Sequence, residues 1–205
     1  MPGVRLDPDL LRRSWYLADW RDHGAVIRRV LPQLAEALTD RGSESYRYGR
    51  EIGAALARAD WPQWPAQQAA AVREFLHAYW IHALLGPEPV DPGGALALCV
   101  EASGVLAPWL ADWAALDHPV VDAHLEEAVD QWDYDLLVDK LPWLTDHDER
   151  TEEALATELA AWFTRHAPAR LKARQVPDDL LQRLRLFGLP GPARYSDPHW
   201  PGYTY

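Results

Sequence analysis

Residues 61–86 read WPQWPAQQAAAVREFLHAYWIHALLG, and the fold class follows from what this stretch needs around it. Pro65 suits the first position of a helix, where its missing N–H removes no hydrogen bond. Beyond it, Val72, Phe75, Leu76, Tyr79 and Ala83 recur at the steps of one helix face. Trp80, Ile81, Leu84 and Leu85 widen that face until the last two turns are apolar almost all round. Such a helix is enclosed by other helices rather than laid on a surface. Gly86 and Pro87 end it. The spacing predicts a core helix of about 20 residues, roughly 30 Å long.

Upstream, Asp7-Pro8 opens a short amphipathic helix expected to end near Arg21–Gly24. A second segment places Ile27, Val30, Leu31, Leu34 and Leu38 on one face, with Pro32 predicting a kink or break near Leu31. Ser43 is the expected N-cap of a third helix carrying Tyr48, Ile52, Ala55, Leu56 and Ala59 inward. The two Trp-Pro pairs of WPQWP predict a rigid extended corner, because a residue before proline is pushed from helical angles. Trp61 and Trp64 are read as closing the end of a helical layer, with a recognition platform as the alternative.

Leu31-Pro32, the run YGREIGAALARADWPQWP and the pairs Phe75-Leu76 and Tyr79-Trp80 together resemble a group of uncharacterised bacterial helical proteins. The resemblance covers about residues 30–85 and implies a helical-repeat-like, all-α protein. It brings no activity and no functional residue.

Downstream, Asp91-Pro92 starts a helix that Gly104 and Pro108 divide into GGALALCVEAS and PWLADWAAL. From Asp117–Pro119 another helix turns Val121, Leu125, Ala128, Val129, Trp132 and Leu136 to the core, with Asp122, Glu126, Asp130 and Asp133 opposite. A helix over about 149–166 buries Leu155, Leu159, Trp162 and Phe163, and a last one after Val176-Pro177 aligns Leu180, Leu184 and Phe187 before Gly188. The tail LPGPARYSDPHWPGYTY is too rich in proline for helix or strand. Its aromatics Tyr195, Trp200, Tyr203 and Tyr205 are expected to dock on the body or on a partner. The reading is therefore all-α: seven to nine helices in antiparallel hairpins, as a bundle or irregular helical-repeat-like array. One domain is expected over 1–188, with an extended tail over 189–205.

The chain has 205 residues, 48% hydrophobic and 25% charged, which is globular composition with enough length for a real core. The single cysteine, Cys99, excludes an internal disulfide framework and suits a reducing cytosol. The N-terminus lacks the basic-then-apolar pattern of a secretory signal, and no run is long enough to span a membrane. A cytoplasmic location is expected. The net charge of −11 is confined: residues 101–150 hold two lysines and arginines against thirteen aspartates and glutamates. This argues against nucleic acid, which requires a basic footprint, and points to a basic protein partner.

Motifs for nucleophilic, dinucleotide, phosphate-loop or zinc chemistry are missing, and no cofactor is expected. Glu74 and His77 have the Glu-x-x-His spacing of carboxylate-bridged metal sites, but no second copy accompanies them, so no metal ligand is assigned. The densest polar group is the acidic segment. Asp130, Asp133, Asp135 and Asp139 are expected to meet a basic partner, with Trp132, Tyr134 and Trp143 as aromatic anchors. A helical enzyme or metal protein, and a structural subunit of an oligomer, are the alternatives.

Overall fold

The computed structural model describes residues 5–16, 21–39, 48–86 and 92–202. Every regular element among them is helical: α1 Pro8–Tyr16, α2 His23–Thr39, α3 Gly49–Arg58, α4 Ala66–Leu85, α5 Pro92–Ser103, α6 Ala107–Ala115, α7 Pro119–Gln131, α8 Asp133–Leu137, α9 Glu149–Ala173, α10 Asp178–Phe187 and α11 Gly191–Tyr195. The expected all-α class holds. None of these helices is long and apolar enough to cross a membrane. The chain packs as two compact units, residues 1–83 with 88–105 and residues 84–87 with 106–205, whereas the sequence reading drew its only boundary at the tail.

In the first unit the closest helix pair is α3 with α5. Glycine makes that approach possible. A Cβ on Gly53 would lie 2.4 Å from the Leu98 carbonyl oxygen, and one on Gly49 would lie 2.8 Å from the Gly94 carbonyl. Two small residues one helical turn apart let the backbones meet and seal Ile52, Leu56 and Leu98 from solvent. α1 and α2 pack on α3 and on each other, and Trp15, Ile27 and Leu34 on them are buried. On α4, Val72, Leu76, Tyr79, Trp80, Ala83 and Leu84 are buried as expected, but Phe75 and Ile81 are only half-buried and Leu85 is 38% exposed, so the last two turns are not enclosed all round.

The corner before α4 departs from the extended form expected. Trp61–Gln63 forms a 3-10 turn, entered through Asp60 at φ 49°, and only Trp64 takes the extended angles of a pre-proline residue. Both indoles are buried. Trp61 Nε1 donates to the Ala102 carbonyl at 2.6 Å and Trp64 Nε1 to the Ala59 carbonyl at 2.9 Å. These tryptophans close a helical layer and form no exposed platform. Ser43, the expected cap of α3, lies outside the described residues.

Two prolines did not end their helices. α2 runs through Pro32, which lies on its exposed side. α9 was expected to stop near His166 yet continues past Pro168 to Ala173. Ala167 and Leu171 on either side are fully buried, and their burial offsets a proline penalty of about 3 kcal/mol. Gly104, at φ 72°, divides α5 from α6 where the sequence placed the interruption.

The tail is also corrected. Residues 191–195 form α11, with Pro192 in its first turn, where a missing N–H is tolerated. Arg194, only 3% exposed, anchors it. Its guanidinium donates to the carbonyls of Leu137 and Leu189 and to Asp139 Oδ1. Tyr195 remains 45% exposed and meets Trp200 edge-on, while Tyr203 and Tyr205 lie outside the described residues. Arg194→Met, leaving two carbonyls without a donor, is expected to destabilise the second unit by about 2 kcal/mol. Chemical denaturation measures it, and an unchanged midpoint would show that the tail is only laid on the surface.

Candidate functional site

The acidic segment takes its shape from α7. His118 precedes the helix in extended conformation, and its Nδ1 accepts the Val120 N–H at 3.2 Å, so this histidine is the cap. Along α7, Asp122, Glu126 and Asp130 follow at four-residue steps and share a face. The sequence places this face opposite the core. In the structure it is met by arginines.

Arg170 Nε lies 2.5 Å from Asp122 Oδ1, while its other nitrogens donate to the carbonyls of Trp113 and Leu116 at the end of α6. One turn on, Arg174 Nε donates to Glu126 at 2.9 Å. Arg183 of α10 donates to Asp133 at 2.7 Å and to Asp130 at 2.9 Å. Arg194 completes the series on Asp139, a residue held at φ 58°. The row is a ladder between helices: the four-residue step of the carboxylates matches the four-residue step from Arg170 to Arg174.

Of the residues expected to meet a partner, Trp132 and Asp133 lie inside the unit. Trp132 is edge-on to Trp113, Phe163 and Trp143, in a cluster that also sets Trp113 tilted against Trp162 and Phe163 edge-on to Phe187. Aromatic burial of this size stabilises the core and removes Trp132 as an anchor. Asp133 is 5% exposed and tolerates burial because Arg183 pairs with it. Asp130 and Asp139 are exposed but held by arginines. Trp143 is half-buried against Trp132. What reaches solvent without an arginine on it is Tyr134, 45% exposed, half-buried Asp135, and Leu144, 81% exposed in the loop before α9. Leu144 was not singled out from the sequence. The preceding Trp143 and Leu141 masked its different exposure.

Burial raises the Asp135 carboxyl above the usual aspartate range, and the neighbouring Asp133 charge adds to it. A carboxyl raised on folding favours the native state in its protonated form. Its stabilising contribution is complete below the unfolded value of about 3.9 and is lost as pH rises through the folded value. Asp135→Asn is therefore expected to raise the melting temperature at pH 7, with the gain vanishing towards pH 3. A gain over wild type no larger at pH 7 than at pH 3 would contradict this.

Glu74 and His77 both point to solvent on α4. Among the described residues no three metal-ligating side chains converge, there or elsewhere. His118 and His124 serve separate roles, since His124 Nε2 approaches the Gly86 carbonyl at 3.2 Å. Two open grooves mark the surface of the second unit. One, about 480 Å³, runs between α7 and α10, and the other, about 470 Å³, lies between α9 and α10 beside Pro168.

The residues that sequence reasoning missed are the arginines. Arg170 was hidden by ending α9 at His166, and Arg183 and Arg194 approach from 53 and 55 residues away. No family model matches the chain, and no curated protein or solved structure matches it either.

Proposed function

We propose that the chain is a cytoplasmic protein-interaction module whose second unit presents a negative surface to a basic protein partner. One observation carries the reading. The second unit holds nine lysines and arginines against eighteen aspartates and glutamates, a net charge of −9. Six of its nine cations, Lys140, Arg170, Arg174, Arg183, Arg185 and Arg194, are already held by carboxylates of the same unit. Pairing within the unit consumes its cations without changing its net charge, so the surrounding field stays negative and steers a basic protein towards it. Exposed Tyr134 and Leu144 supply apolar area of the kind that anchors an interface.

Affinity capture from source-cell lysate, at low and moderate salt, tests the reading. Wild type is compared with a variant neutralised at Asp135 and Glu149, which avoids the arginine ladder. A basic protein retained at low salt, released at moderate salt and weakened by the variant is expected. A partner indifferent to both salt and variant, or no partner, would overturn it.

A further inference from the structure

We propose that the groove between α7 and α10 seats a short amphipathic segment of that basic partner, with a cationic side chain at each rim and an apolar residue between them. The inference rests on the reading above and adds its location. At about 480 Å³ the groove suits a few side chains rather than a whole helix. Ala123, Pro177 and Leu180 give it an apolar floor.

Both guanidiniums in its lining are already engaged, Arg174 by Glu126 and Arg183 by Asp130 and Asp133. This leaves one carboxylate in surplus on each wall. On the α7 side, Glu127 accepts from the Gln131 amide at 2.9 Å and stands 3.9 Å from His124 Nδ1, with its side chain 57% exposed. On the α10 side, the Asp179 side chain is 74% exposed and comes no closer than 3.6 Å to the committed Arg183.

The occupant follows from charge and surface together. An anion is repelled by the surplus of two negative charges. A purely apolar ligand would strip water from Glu127 and Asp179 without replacing it. A segment bearing two lysines or arginines about an apolar side chain satisfies the floor and both rims.

The test uses fluorescence anisotropy of the full chain with a labelled twelve-residue lysine–leucine peptide in amphipathic helical spacing, beside its leucine-to-serine counterpart. Binding of the first peptide is expected to be salt-sensitive and clearly tighter than binding of the second. The Glu127→Gln/Asp179→Asn variant is expected to weaken it about tenfold. Ala123→Lys, which fills the floor, is expected to do the same. Glu153→Gln/Glu158→Gln removes equal charge from exposed positions on α9 and is expected to change it less than about twofold. Circular dichroism melts confirm that all variants are folded.

Equal weakening by the α9 variant would make binding diffuse, overturning the groove while leaving the interaction reading intact. Equal affinity for the serine peptide would remove the floor from the argument and overturn it too. Displacement of the peptide by spermidine at matched concentration would assign the groove to a small polyamine. If wild type binds neither peptide at low salt, the groove proposal falls, and the capture experiment decides the interaction reading separately.

Discussion

Gly53→Ala is expected to destabilise the first unit by about 3 kcal/mol, although alanine is the better helix former. Two effects oppose each other. Replacing an interior helical glycine by alanine ordinarily gains about 1 kcal/mol through propensity. Here the new Cβ would lie 2.4 Å from the Leu98 carbonyl oxygen, 3.0 Å from Glu101 Cβ and 3.2 Å from the Ala102 nitrogen. Two of these neighbours are backbone and cannot swing aside, so α3 must back away from α5. That opens the sealed contact of Ile52, Leu56 and Leu98, and the packing loss outweighs the propensity gain. Gly104→Ala provides the contrast. Nothing lies within 4 Å of its Cβ, but its φ of 72° costs an L-residue about 1 kcal/mol. Hydrogen exchange resolved by peptide separates the two. Gly53→Ala should strip protection from α3 and α5, and Gly104→Ala only from the end of α5. A Gly53→Ala protein as stable as wild type would refute the close approach of these helices.

Arg183→Met is expected to cost the second unit about 3–5 kcal/mol, because it leaves the Asp133 carboxylate buried without its ion partner. The same change at Arg174 is expected to cost at most about 1 kcal/mol, since that pair is about one-third exposed and water can replace the arginine. The comparison isolates burial, as both arginines hold a carboxylate at similar distance. Adding Asp133→Asn to Arg183→Met should recover part of the loss, giving a coupling term in a double-mutant cycle. Denaturant midpoints by tryptophan fluorescence report it. If the two single arginine variants are equally stable, the ladder on α7 is a set of surface contacts and nothing more.

These arginines also explain why the acidic segment reads differently in sequence and in space. Thirteen carboxylates within residues 101–150 suggest an open negative face. The reading of α7 separates buried Val121, Leu125 and Val129 from Asp122, Glu126 and Asp130, but it set Asp133 opposite the core, and α7 ends at Gln131 with Asp133 buried at the start of α8. It has no means of finding Arg170, Arg183 and Arg194, which come from later helices. The reading ended α9 near His166, which removes both Arg170 and Arg174 from register with Asp122 and Glu126. The signal that would have kept them is the continued spacing of Phe163, Ala167 and Leu171, all fully buried.

By itself, the amino-acid order determined the helical class, the extent of α4, the division at Gly104 and the inward faces of α3, α7 and α10. Each depends on local physics: the period of apolar residues, the missing N–H of proline and the left-handed freedom of glycine. Tertiary structure decided the rest. Continuity through Pro32 and Pro168 depends on what the flanking residues bury. The role of Gly53 depends on the Leu98 backbone 45 residues away. Which carboxylates are structural depends on arginines brought in from other helices. Burial and charge pairing are properties of neighbours in space, and a sequence displays only neighbours along the chain.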